Sequence, residues 1–184
     1  MPSRLDRETS GVVVFAKDRA MGSSLQKAIE HRRVRKFYRA IVKGFLQGPV
    51  EVNQPIGFEG TGVVHIRQWV RSDGAAAVTL FEPVEWRAGY TLVDVRPRTG
   101  RMHQIRVHAA WLGHAIVGDK IYGPDAQLFL DFIERGWTAE LQARLELPRQ
   151  ALHAARIEFE LEGGKLAFDA PFAGDLQAFW ASKL

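Results

Sequence analysis

Three clusters in this chain combine residue types and spacing that could do chemistry. The first is Arg4-Leu5-Asp6-Arg7-Glu8-Thr9-Ser10-Gly11. Cations close to a carboxyl favour its ionised form. Asp6, flanked by Arg4 and Arg7, is therefore expected to be a standing anion, fit for nucleophilic or electrostatic work and poor as a proton donor. The same stretch is also compatible with a surface turn whose exposed ion pairs contribute little. The second cluster runs from His31 to Gly44, where Arg32, Arg33, Arg35, Lys36 and Arg39 form the densest positive charge in the chain. They are interleaved with Phe37 and Tyr38, a mixture of cations and rings that suits a folded or single-stranded RNA. The plainer alternative is a solvated connection between a helix and a strand. Tyr38 alternates with Ala40 and Val42, which turns its ring inward, where its hydroxyl requires a partner.

The third cluster lies between Arg96 and His114. Arg96, Arg98, Arg101 and Arg106 gather at a turn entering a helix, whose first N–H groups favour anions. His103 and Arg106 are three apart and share a helical face. His103 and His108 are five apart, off the i, i+4 spacing of helical zinc sites, and the chain has no cysteine. Metal binding is not expected, and His108 and His114 read as hydrogen-bonded structural histidines. A glycine-rich strand-to-helix loop for a nucleotide cofactor is missing, as is the nucleophile elbow of the hydrolases. Glu8 gives no reason to expect the opposed carboxylate pair of a retaining glycosidase.

These clusters need a scaffold. With 184 residues, 46% of them hydrophobic and 25% charged, the chain suits one well-buried domain. No apolar run reaches the roughly 18 residues of a membrane span. A net charge of +4 is a modest excess, carried more by arginine than by lysine, which suits planar contacts to phosphate. The cytoplasm is the default compartment. The apolar run 11–17 predicts a buried strand, and Asp18 can cap a helix to about residue 32. Residues 35–44 predict a strand, with shorter β segments at 49–56, 63–70, 76–86 and 90–96. Residues 103–113 predict a helix, and 125–146 a looser helical stretch broken at Gly136. Residues 151–161 and 165–170 form a hairpin across Gly163-Gly164, followed by an amphipathic tail helix from Gly174 to Leu184. The expected fold class is α+β, a mostly antiparallel mixed sheet with flanking helices.

Taken together the clusters resemble the RluA-like family of RNA pseudouridine synthases. Its opening motif, His-Arg-Leu-Asp-Arg-x-Thr-Ser-Gly, is matched by Arg4, Leu5, Asp6, Arg7, Thr9, Ser10 and Gly11. Its Lys-x-Tyr-x-Ala strand is similar to Lys36-Phe37-Tyr38-Arg39-Ala40. Its Thr-Gly-Arg-x-His-Gln-Ile-Arg-x-His stretch is met from Thr99 to His108, and a Gly-His-x-Ile-x-Gly-Asp-x-x-Tyr-Gly pattern follows, ending at Gly123. Leu152-His153-Ala154 resembles the family's late strand.

The resemblance implies an isomerase that cleaves a uridine's glycosidic bond, turns the uracil and rejoins it through carbon, in ribosomal or transfer RNA. It implies no metal, no organic cofactor and no membrane partner. Asp6 takes the role of essential carboxylate, attacking the ribose or abstracting its 2′ proton; both roles stay open. Tyr38 lines the pocket against the base, and Arg106 pairs with Asp6. Arg4 takes the place of the target base once that base is flipped out, because this chemistry cannot reach a stacked nucleotide. Arg7, Arg35, Lys36, Arg98, Arg101 and His103 are the further expected RNA contacts. Ser3 stands where the family has histidine. The expected organisation is a single catalytic domain over 1–184, without the family's usual N-terminal part and without an accessory RNA-binding domain. A shortened relative that holds RNA without isomerising it is the alternative.

Overall fold

The computed structural model describes residues 4–60 and 62–183; Ser3 and Leu184 lie outside them. Its centre is β2, Val34–Lys43, the strand that carries Lys36 and Tyr38. One edge of β2 pairs antiparallel with β7, Tyr90–Pro97, and the other with β8, Leu152–Leu161. Outward from β7 come β6, Val78–Arg87, and β3, Val50–Asn53. On the far side β8 pairs with β9, Gly164–Asp169, and in parallel with the two-residue β1, Ser10–Gly11. A separate small hairpin joins β4, Ile56–Phe58, to β5, Gln68–Val70. The expected mixed, mostly antiparallel sheet with helices around it is what forms.

Among the described residues five helices flank the sheets. In α1, Arg19–Glu30, the Asp18 carboxylate accepts the Met21 N–H at 2.7 Å and so caps the first turn. Leu25 and Ala28 on its inner face bury against Ile157 and Phe159 of β8. The looser helical stretch expected over 125–146 becomes α3, Gln127–Arg135, and α4, Ala139–Leu145, separated at Gly136 as the sequence indicates. The main core packs Ala40, Ile41, Val42, Val93 and Val95 of the sheet against Ile105 and Ala109 of α2, Gln104–Trp111, and against Leu176 and Trp180 of α5, Gly174–Ala181. Ala40, Ile41 and Val42 are all fully buried, so this half of β2 is covered on both faces.

Two expected strands are corrected. Within the run 11–17 only Gly11 belongs to a strand, β1, with Val12 still donating to the Ala154 carbonyl at 2.9 Å. Its alternation serves packing instead: Val14 joins the α1–β8 cluster while Phe15 points outward. Gly11 sits at φ 118°, and a Cβ there would lie 2.2 Å from the Ala154 carbonyl oxygen, so the close approach needs glycine. Of residues 63–70 only 68–70 form a strand, the preceding residues being bends and turns.

Where β2 meets β8, Phe37 pairs with Arg156 but Tyr38 pairs with Ala154, leaving a bulge at Ala155. Bulges re-aim neighbouring side chains. This one lies beside Tyr38.

Candidate active site

Residues 4–10 form a loop along one end of the sheet, and separate elements hold it from below. Thr9 N–H donates to the Asp6 carbonyl at 3.0 Å, closing a tight turn that sets Glu8 at φ 74°. Lys120 Nζ reaches up to both Glu8 carboxylate oxygens, at 2.9 and 2.8 Å, and also donates to the Pro148 carbonyl. Its ammonium lies 4.4 Å from the Phe132 ring centre and 5.7 Å from that of Trp137. Gln150 Nε2 donates to the Thr9 hydroxyl. The Ser10 hydroxyl bonds His153 Nδ1 at 2.9 Å, and His153 Nε2 donates to the Ala170 carbonyl. A loop so tied has little freedom, which is what a reacting carboxylate needs.

Asp6 Oδ2 accepts a hydrogen bond from Arg106 Nη1 at 3.2 Å. Arg106 is 4% exposed, on α2, one hundred residues away in sequence. Its other two nitrogens donate to Asp119: Nε to Oδ2 at 2.7 Å and Nη2 to Oδ1 at 2.9 Å. Asp119 in turn accepts the Ile121 and Tyr122 N–H groups at 3.0 Å each. Burial pushes the Asp119 carboxyl up, but the Arg106 charge and these hydrogen bonds outweigh it and hold it below the usual carboxylate range. Burial likewise opposes the Arg106 charge, and the two aspartates overcome it, so the guanidinium stays protonated.

The turn carrying the third cluster is set by Gln104. Its side-chain oxygen accepts the Thr99 hydroxyl at 2.7 Å and the Arg101 N–H at 3.0 Å, while its amide donates to the Val78 carbonyl and the Thr79 hydroxyl. His103 then enters α2 in the left-handed region, φ 56°, with Nδ1 held at 2.9 Å by the Tyr122 hydroxyl. Burial and the nearby Arg106 lower the His103 pKa. His108 bonds Thr79 and the Gln54 carbonyl, and His114 bonds the Lys43 carbonyl, so both are structural as expected.

These pieces surround a cleft of about 110 Å³ lined by Arg4, Asp6, Lys36, Tyr38, Arg101, His103 and Arg106, with Leu5, Ile105 and Leu152 supplying apolar wall. The larger cavity, about 420 Å³ between the end of α1 and the β8–β9 hairpin, contains none of these residues. Tyr38 is pushed up to about 12, first by burial and then by the charge of Asp6, so it is a neutral phenol at pH 7. The sequence reading gave its hydroxyl a partner, yet among the described residues no hydrogen bond to it is present. It faces the cleft, open to a substrate.

The structure does not bring the other three expected contacts to the cleft. Arg7 is exposed outside it. Arg35 pairs with Glu158 at 2.8 Å along the sheet, and Arg98 with Glu51 at 2.9 Å. Alternation along β2 turns Arg35 away from the face of Lys36 and Tyr38. Sequence reasoning in turn missed Asp119, Lys120, Gln150 and His153 as supports of the loop. Asp119 stood in the Gly-Asp-x-x-Tyr-Gly pattern without a role, and Lys120 reads as an ordinary surface lysine. Among the described residues no group of three or more His, Cys, Asp or Glu side chains is placed to hold a metal.

Lys120→Met keeps most of the side-chain volume and deletes the charge beneath Glu8. Glu8 is part exposed and can recover water, so the expected cost is about 1–3 kcal/mol, that of lost hydrogen bonds to a charged group. A shift in denaturation midpoint without a change in slope checks it.

A mostly antiparallel sheet carrying an aspartate loop and a tyrosine into a basic cleft is the architecture of pseudouridylate synthase domains. The fold matches the solved human RNA pseudouridylate synthase domain containing 1 with TM-score 0.78 and 28% identity, over 96% of this chain and 71% of that one. A family model described as RNA pseudouridylate synthase matches residues 1–111. The chain belongs to the RNA pseudouridylate synthase family, as its RluA-like motifs indicate. It is 37% identical over 176 residues to ribosomal large subunit pseudouridine synthase D of Vibrio cholerae, covering 94% of this chain and 52% of that protein. It is also 37% identical over 177 residues to an uncharacterized RNA pseudouridine synthase of Chloroflexus aurantiacus, covering 95% and 50%. The chain thus spans about half the length of these relatives.

Proposed function

We propose that residues 1–184 act as a single catalytic domain that isomerises uridine to pseudouridine in cytoplasmic ribosomal RNA, with Asp6 as the essential carboxylate. The observation that carries this reading is the arrangement around Asp6. One oxygen is held by a buried arginine whose other two nitrogens donate to Asp119, and the carboxylate shares its cleft with a tyrosine hydroxyl open to substrate. Ribosomal RNA is favoured over transfer RNA by the names of relatives such as the Vibrio cholerae protein.

In this reading a flipped uridine enters the cleft and Arg4 fills the gap it leaves. Asp6 acts on the ribose, the bond from N1 to C1′ breaks, and the uracil turns. Its C5 then bonds C1′ and loses its proton. Tyr38 lies against the base. If Asp6 bonds C1′ its charge is consumed, which removes the second of the two causes that hold the Tyr38 phenol high and makes that phenol a better proton carrier at this step.

Ribosomal RNA carrying tritium at C5 of uridine tests the proposal, since only formation of the C5 link releases the label to water. Enzyme-dependent tritium release is expected. A folded, RNA-bound protein that releases none overturns it.

A further inference from the structure

Breaking the N1–C1′ bond sends the bonding electron pair to the uracil, which leaves as an anion, whether Asp6 attacks C1′ or removes the 2′ proton. The centre of the cleft is poorly prepared for such an anion. Arg106 supplies one positive charge against the two carboxylates of Asp119 and Asp6, and each of its three nitrogens already donates to one of them. Arg4 and Arg101 are exposed at the rim, and Arg101 Nε already donates to the Ala76 carbonyl. Lys36 is different. It lies two residues before Tyr38 on β2, on the same face and about 7 Å along the strand, and it lines the same cleft. Among the described residues its ammonium makes no hydrogen bond or ion pair, whereas Arg35 and Arg39 on the opposite face of the strand are both paired with carboxylates.

We propose that Lys36 is a catalytic residue, its ammonium donating to the uracil anion released at bond cleavage and stabilising the charge that develops there. This deepens the pseudouridine synthase reading and rests on it. It moves Lys36 from the expected set of general RNA contacts into the reaction itself. With Lys36 counted, Arg106, Lys36, Asp6 and Asp119 sum to no net charge before the base leaves, so the cleft does not repel the new anion. A fixed donor aimed where charge develops contributes chiefly to the transition state. Burial also lowers the Lys36 pKa, so its proton is more readily shared with an anionic base. No other reactant is needed: N1 keeps the pair from the broken bond and takes up a proton, the C5=C6 pair forms the bond to C1′, and the C5–H pair restores the double bond as that proton leaves to water.

The test compares two leaving bases. Lys36→Met and Lys36→Arg are assayed beside the unaltered chain under single turnover, with RNA containing either uridine or 5-fluorouridine at the target. Loss of the starting nucleoside is followed after digestion. Fluorine stabilises the departing anion, so that base depends less on an enzymatic cation. With uridine RNA, Lys36→Met is expected to react about 100-fold more slowly, the cost of removing one donor from a developing anion. With 5-fluorouridine RNA the loss is expected to stay below about tenfold, because the substituent replaces part of that donor's effect. RNA affinity changes less than about threefold, and Lys36→Arg recovers part of the rate, because the contact is made in the transition state rather than on binding.

Equal losses on both RNAs overturn the proposal. So does a loss confined to affinity with a smaller salt dependence, which marks a phosphate contact. A fold-dependent loss shows itself in the thermal midpoint and in equal losses on both RNAs. Should the unaltered chain convert neither RNA, the isomerase reading falls first, a result distinct from any difference between the variants.

Discussion

Asp6→Asn is expected to abolish isomerisation while leaving the protein folded and bound to RNA. The substitution is nearly isosteric, and its amide oxygen can still accept the Arg106 N–H now held at 3.2 Å. Asp6 is about 29% exposed in its side chain, so loss of the charge is expected to alter stability by less than about 1 kcal/mol. The chemistry has no such tolerance. An amide neither attacks C1′ nor takes a 2′ proton at neutral pH, and among the described residues no second carboxylate lines the cleft to replace it. A fall of at least about 10⁴-fold in tritium release is expected, the scale on which removing an essential catalytic group acts. RNA affinity should hold or rise slightly, since a negative charge near phosphates is removed. Retained turnover in this variant would sink the assignment of Asp6. A loss of binding together with activity would instead make Asp6 a folding or docking residue.

The clusters at Asp6, Tyr38 and Arg106 could be found from residue types, but not joined by them. Asp6 and Arg106 are one hundred residues apart on a loop and a helix, and no spacing rule connects such elements. Only the resemblance brought them to one place. Regular elements were easier: α1 announces itself through the Asp18 cap and its apolar stripe, and β8–β9 through paired alternation about two glycines. Where alternation serves packing beyond a strand's end, as in 12–17, periodicity alone does not mark where the strand stops. Charges were hardest to place. Arg35 and Lys36 are neighbours in sequence, yet the pleat sends one to a carboxylate on the sheet and the other into the cleft. Lys120 was unreadable for a related reason. Its burial depends on Phe132 of α3, on Trp137 between α3 and α4 and on Glu8 from the loop, none of which lies near it in sequence.

Asp119 presents the same difficulty in its strongest form, and its substitution should have the largest combined effect on stability and rate. Its Oδ1 accepts from Arg106, Ile121 and Tyr122, and its Oδ2 from Arg106. In Asp119→Asn one oxygen becomes an NH₂ group facing the guanidinium, donor against donor, and Arg106 keeps its burial with only Asp6 to balance it. Breaking a buried pair in this way costs about 3–5 kcal/mol. The penalty should also be pH-dependent. The folded-state pKa of Asp119 lies below its unfolded value, so its charge stabilises the fold above about pH 4. That contribution is lost as the pH falls through the folded-state pKa. The gap in unfolding free energy between the unaltered chain and Asp119→Asn is thus expected to be widest near neutrality and to shrink in acid. A gap that stays constant into strong acid would mean that the Asp119 charge does not hold Arg106. The rate should fall independently of stability, because a guanidinium displaced by about 1 Å no longer aims Asp6, and misplacement on that scale costs about 10²-fold. Tritium release measured well below the variant's thermal midpoint separates this loss from unfolding. In the proposed reaction Arg106 thus depends on Asp119 for its aim as Asp6 depends on Arg106, so the carboxylate expected to react is positioned by a second, fully buried one.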